Sequence, residues 1–151
     1  MVVDFAIKRA PAFHAVTARW TGPWSEKRIR SEFEKLDRWC RARKVRTGEW
    51  YFYEPGARRW MVAVEVKGKA RGEGSTHVRA FPACDVAQVT FDPEAVSPRV
   101  IYHGLNDWLR WRRKDKTIRS VGAYREKYRG NPWSDRRAWA TTTIQVVVKK
   151  K

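Results

Sequence analysis

The 151-residue sequence predicts an α+β fold in which a strand-strand-helix-strand-strand unit occurs twice, with the helices on one side and a ligand groove between the repeats. Three observations carry this. Short aromatic and β-branched runs, bounded by Pro and Gly, alternate along the chain as half-buried strands do. Two longer stretches repeat apolar residues at helical spacing. The halves also echo one another: Leu36-Asp37-Arg38-Trp39-Cys40-Arg41 resembles Leu105-Asn106-Asp107-Trp108-Leu109-Arg110, and each is followed by a basic stretch, a glycine and a tyrosine-bearing strand. Internal duplication explains this economically. One domain over residues 1–151 is expected, with pseudo-repeats over about 1–70 and 75–151.

Asp4–Lys8 and Phe13–Trp20 read as strands separated by Pro11, and they could form a hairpin. The turn Thr21-Gly22-Pro23-Trp24 leads to Ser25, a good helix N-cap. In the helix that follows, Ile29, Phe33, Leu36 and Cys40 share one face, and Glu26/Arg30, Glu34/Arg38 and Asp37/Arg41 are favourable pairs four residues apart. It ends before Gly48. Glu49–Glu54 and Trp60–Val66 form a hairpin through Pro55 and Gly56. Residues 67–75, KGKARGEGS, have the composition of a mobile connector. The second set begins with strands at His77–Phe81 and Asp85–Phe91, separated by Pro82. A helix then runs to about Arg113, starting either at Glu94 or with Ser97 as cap and Pro98 in its first turn, and Ile101, Leu105 and Trp108 supply its buried stripe. Gly104 either permits close approach of another segment or marks the true helix start. Strands at Ala123–Arg129 and Thr141–Val148 complete the chain, with Trp133 and Trp139 in the loop between them. One helix packed on one sheet face of each half leaves the other faces to form the groove.

A net charge of +17 favours anionic partners such as nucleic acid or an acidic protein. The charge is evenly spread: 17 cations against 9 carboxylates up to Ser75, and 16 against 7 from Thr76. The densest runs, Arg41–Arg46, Arg110–Lys116 and Lys149–Lys151, are short, which fits a general surface bias better than a dedicated arm. No helix-turn-helix, zinc or RNA-binding pattern accompanies them, so the chain is not expected to be a transcription factor by itself. Cys40 and Cys84 match neither a disulfide framework nor a metal spacing, and His14, His77 and His103 are scattered, so neither metal nor cofactor is expected. No apolar run is long enough to span a membrane and the N-terminus lacks a secretory signal, which points to the cytoplasm. Nine tryptophans exceed what a small core needs.

The stretch Val121–Trp139 concentrates the chemistry. On a strand, Tyr124, Glu126 and Tyr128 share one face and Arg125, Lys127 and Arg129 the other. Three neighbouring cations belong in water, so the Tyr-Glu-Tyr face should point inward and place Glu126 among rings. A poorly solvated carboxylate has a raised pKa unless a cation is near. The competing reading makes Glu126 an ordinary strand residue paired with one of the nearby arginines. Trp39 and Trp108 lie in or next to helix core positions, whereas Trp24, Trp133 and Trp139 lie at turns or loops and suit ligand contact; Tyr51 and Tyr53 share a face of the corresponding strand of the first half.

The duplicated element order, Gly22-Pro23-Trp24 before the first helix, and Tyr124-Arg125-Glu126-Lys127-Tyr128 followed by Asn131-Pro132 resemble the GyrI-like small-molecule-binding domain, which is also the effector-binding domain of AraC- and MerR-type regulators. The resemblance spans nearly the whole chain. It implies a groove that binds bulky, often cationic, aromatic compounds, with Glu126 as its late-strand acid and Trp24, Tyr51, Tyr53, Tyr124, Tyr128, Trp133 and Trp139 as candidate ring contacts. One subgroup resembles hydrolases that open cyclopropane rings, in which case Glu126 would position or activate water. The sequence departs from the pattern in lacking a Gly-Pro turn before the second helix, where it reads Asp92-Pro93-Glu94, and in a late loop rich in Trp and Arg. The alternatives are thus capture of a hydrophobic aromatic molecule, hydrolysis at Glu126, or binding of nucleic acid or an acidic protein by the basic surface.

Overall fold

The computed structural model describes residues 3–68 and 76–150. Its elements are β1 (Ala6–Ala10), β2 (Phe13–Thr21), α1 (Glu26–Ala42), β3 (Arg46–Gly56), β4 (Arg59–Lys67), β5 (His77–Phe81), β6 (Cys84–Phe91), α2 (Pro98–Lys114), β7 (Ile118–Tyr128), α3 (Arg136–Ala140) and β8 (Thr142–Lys150). The order is the expected α+β duplication with one addition, the short α3 inside the second repeat. The connector expected over 67–75 lies outside the described residues from 69 onward.

All eight strands form one antiparallel sheet in the order β1-β6-β8-β7-β3-β4-β2-β5, which a two-fold turn about the central β7–β3 seam maps onto itself. Each repeat lends its first strand to the other: β1 pairs with β6 and β5 with β2. The hairpin expected between β1 and β2 therefore does not form. Pro11 and Ala12 carry no left-handed residue that could reverse the chain, so β1 runs on into β2 in nearly the same direction. The pairs Ala10↔Cys84 and Phe13↔Phe81 fall on one continuous antiparallel register, interrupted only where Pro11 and Pro82 sit. The two ends of the strand order are thus joined through these kinked strands, and the sheet curls toward a barrel.

This closure buries both faces. The outer face carries the helices. Phe33 and Leu36 of α1 pack on Val16, Phe52, Trp60, Val62 and Val64 of the sheet, and Ile101, Leu105 and Leu109 of α2 on Val89, Ile118, Ile144 and Val146. The inner face holds Phe13, Ala15, Tyr51, Tyr53, Met61 and Ala63, with Phe81 against them. Ser25 caps α1 by accepting from the Arg28 amide at 3.1 Å, and Pro98 opens α2 behind Ser97. Asp37 pairs with Arg41 as expected, while Arg30 turns to Glu34 rather than Glu26. The third buried position of α2 is Leu109, not Trp108, which is half-buried against Phe5 at 6.0 Å. Gly104 lies inside α2 and serves close approach: a Cβ there would sit 3.2 Å from the Phe5 ring. Among the described residues, no helix is long and apolar enough to cross a membrane.

Candidate functional site

The strands β3 and β7 meet at the seam with Phe52 opposite Glu126 and Tyr53 opposite Arg125. Because neighbours along a strand alternate faces, this register decides which predicted residues can meet. Phe52 and Glu126 point outward, to the helix side, whereas Tyr53, Tyr51 and Arg125 point into the curled sheet.

On the outer side a groove of about 650 Å³ opens between the start of α1 and the flank of α2, lined by Trp24, Phe52, Glu54, Pro55, Trp60, Tyr102, Ala123, Tyr124, Arg125 and Glu126. It therefore lies on the helix side of the sheet, not on the faces opposite the helices as the sequence suggested. Its aromatic wall is built by local rules. Gly22 adopts φ +139°, a conformation that favours glycine, and its carbonyl accepts 3.0 Å from Trp60 Nε1. The turn so pinned sets Trp24 edge-on to Trp60 at 5.4 Å and to Phe52 at 6.0 Å, while Phe52 and Trp60 stack. Trp24 is 64% exposed, although it touches two rings.

The carboxylate of Glu126 is fixed from two directions. Tyr102 of α2 donates to Oε1 at 2.9 Å, and Tyr128, behind the groove wall, donates to Oε2 through a short bond. Burial, reinforced by Glu126 itself, pushes both phenols above their ordinary range, so they remain protonated donors. Tyr124 donates to Asn106 Oδ1 at 2.6 Å, which locks its ring 6.2 Å from that of Tyr102. Neither Glu126 nor Glu54 forms an ion pair with a described residue. The guanidinium of the arginine next in sequence is turned instead toward Gln145 and Tyr53.

That arginine corrects a second expectation. Arg125 is not on a solvent-facing cationic surface; it is buried, donates to Gln145 Oε1 at 2.6 Å and Tyr53 Oη at 3.2 Å, and lies over the rings of Tyr51 and Phe13 at 5.1 and 5.6 Å. Closing the sheet is the cause, since it makes both faces of β7 interior at this point. Lys127 is half-buried and only Arg129 of the three is exposed.

Of the sequence-predicted site residues, the structure brings Trp24, Tyr124 and Glu126 into one groove and sets Tyr128 directly behind it. Tyr51 and Tyr53 are on the opposite face, and Trp133 and Trp139 pack against the core under α1. Phe52, Trp60, Glu54 and Tyr102 complete the groove without having been singled out. Phe52 was legible in principle, as it alternates with Tyr51 and Tyr53 and so must share the face of its pairing partner Glu126. Tyr102 was not, because nothing local ties a helix residue to a strand 24 positions later. No cluster of three or more metal-ligating side chains occurs among the described residues.

No family model matches the chain, and no curated protein matches it by sequence. Similar solved structures do exist. The crystal structure of the EcmrR C-terminal domain superposes with a TM-score of 0.77 at 18% identity, covering 100% of both chains. SAV2435 bound to tetraphenylphosphonium gives 0.57 at 9% identity, covering 97% of this chain and 94% of that one. A hydrolase encoded by lin2189 from Listeria innocua gives 0.57 at 10% identity over 96% and 91%. The fold is that of these proteins. The duplicated α+β order thus stands as expected from the sequence.

Proposed function

We propose that the chain is a small-molecule-binding domain of the GyrI-like type, which captures hydrophobic aromatic cations in the groove centred on Glu126. One observation carries the reading: in a protein of net charge +17, the groove holds two carboxylates, Glu126 and Glu54, with no ion-paired partner among the described residues. An aromatic cation supplies what this site lacks. Its rings stack on Trp24, Phe52, Trp60 and Tyr124, and its charge lies near a carboxylate held in place before binding. The overall positive charge does not oppose this strongly, since exposed charges more than about 8 Å away are largely screened at physiological salt. The fold shared with SAV2435, whose bound ligand is tetraphenylphosphonium, supports the same ligand class.

Binding is favoured over hydrolysis because both Glu126 oxygens already accept from tyrosine hydroxyls. A carboxylate so engaged acts as a fixed counter-charge rather than as a base for a water molecule. The deciding experiment titrates intrinsic tryptophan fluorescence with tetraphenylphosphonium and with tetraphenylborate, which match in shape and differ in sign. Saturable quenching by the cation alone is expected. Equal binding of both ions, or preference for the borate, overturns the reading. Following a cyclopropane-bearing aromatic substrate by chromatography tests the enzyme alternative, and its turnover would replace binding by catalysis.

A further inference from the structure

The excess positive charge is not spread evenly over the folded surface. Residues 108–120 contain six cations, Arg110, Arg112, Arg113, Lys114, Lys116 and Arg119, against the single carboxylate of Asp115. The fold turns this run back on itself. The last turns of α2 and the first residues of β7 face each other across the bend at Lys116, where φ is +65°, and Thr117 is held there by Asp115. Between them lies a second cleft of about 670 Å³, separate from the Glu126 groove except for Tyr124 on the shared wall. Leu109, Ile118 and Val121 form its floor, and Arg110, Arg113, Lys114, Lys116 and Arg119 form its rim.

The local acids neutralise this rim only in part. Asp107 pairs with Arg110 and Asp115 with Arg112. Arg113, Lys116 and Arg119 are exposed and have no carboxylate partner among the described residues. Like charges crowded this closely repel and destabilise the free protein, so the arrangement is suited to a polyanion. One turn back on α2, Trp111 stands 70% exposed, with Lys114 Nζ 5.7 Å from its ring centroid. Among the described residues it belongs to no hydrophobic core cluster.

We infer that the Arg113–Lys116–Arg119 cleft with Trp111 beside it is a binding site for single-stranded nucleic acid, distinct from the small-molecule groove. The rim cations take successive phosphates, and arginines suit this better than lysines because the guanidinium fork matches two phosphate oxygens. Trp111 offers a face on which an unpaired base stacks. A duplex keeps its bases stacked inside and leaves that ring without a partner, and an acidic peptide offers no planar base.

The test measures fluorescence anisotropy of a labelled 16-nucleotide oligo-dT, its duplex with oligo-dA, and poly-glutamate, from 50 to 300 mM salt. The single strand should bind most tightly, and log K should fall against log salt with a slope of about −2 to −3, which corresponds to three or four phosphates. Trp111→Ala should weaken single-strand binding by about fivefold or more, as loss of one stacking platform does. The double reversal Arg113→Glu/Arg119→Glu should weaken it by about tenfold or more through two lost phosphate contacts. The reversal Arg38→Glu/Arg46→Glu, which changes net charge equally on the other repeat, should weaken it by less than about threefold, since it adds only diffuse repulsion. Equal losses from both reversals, equal binding of duplex or poly-glutamate, or no measurable binding at 100 mM salt overturns the inference. Saturating tetraphenylphosphonium should leave oligo-dT affinity unchanged, and competition between the two would refute separate sites. Failure of the Glu126 groove to bind cations would leave this result unaffected.

Discussion

Glu126→Gln is the sharpest perturbation of the groove, because it removes the charge and little else. The glutamine Oε1 can accept from one of the two tyrosines that now donate to the carboxylate, and its amide can donate to the hydroxyl oxygen of the other. The side chain should stay where it is, at a stability cost of about 1 kcal/mol as two charge-assisted bonds become neutral ones. The effect on a bound cation is larger. A charge about 5 Å from the carboxylate gains about 3 kcal/mol at the effective dielectric of a partly buried site, and desolvation offsets up to about half of that. The expected loss is therefore about tenfold to hundredfold in Kd for tetraphenylphosphonium. Affinity for tetraphenylborate should stay the same or rise. Fluorescence titration of both ions on wild type and variant measures this, with near-UV circular dichroism to verify the fold. A change below about threefold for the cation, or an equal loss for both ions, would refute the electrostatic reasoning and leave shape as the only basis of recognition.

Other expectations follow from the same geometry. Trp24→Ala should weaken cation binding by about fivefold or more while changing stability by less than about 1 kcal/mol, since the ring is mostly exposed. Trp60→Ala should instead cost about 3–5 kcal/mol, because it empties a core position and leaves the Gly22 carbonyl without its indole donor; urea denaturation separates the two, and equal costs would contradict the assigned roles. Gly104→Leu should destabilise by about 1–3 kcal/mol by displacing the Phe5 ring, and an unchanged midpoint would show that this contact is dispensable. The Cys40 thiol is pushed up to about 11 from an ordinary value of 9.0, first by burial and then by Asp37. The unfolded chain thus releases this proton at lower pH than the folded one. The stability tied to it is whole below pH 9 and is lost between pH 9 and 11, so wild type should lose about 2 kcal/mol relative to Cys40→Ala across that window in chemical denaturation. A constant difference between the two would show that Cys40 does not titrate in this range.

What the sequence determined by itself was everything governed by local periodicity. The two amphipathic helices, the Ser25 cap, the β3–β4 hairpin and the duplicated order all follow from spacings within a dozen residues, where backbone geometry fixes which side chains share a face. Local pattern also marked Trp24 at a turn and Tyr124 and Glu126 on one strand face, while their meeting in one groove was implied only by the resemblance to the GyrI-like domain. Only the tertiary structure decided how the strands pair. The exchange of β1 and β5 between repeats, made where the chain passes Pro11 and Pro82 without reversing, curls the sheet and gives it two buried faces. The closure put Arg125 in the interior, the β3–β7 register set Tyr51 and Tyr53 on the face opposite Glu126, and the packing of α2 on β7 brought in Tyr102. Alternation along a strand identifies two faces but cannot say that both will be covered, because burial depends on contacts between residues far apart in the chain.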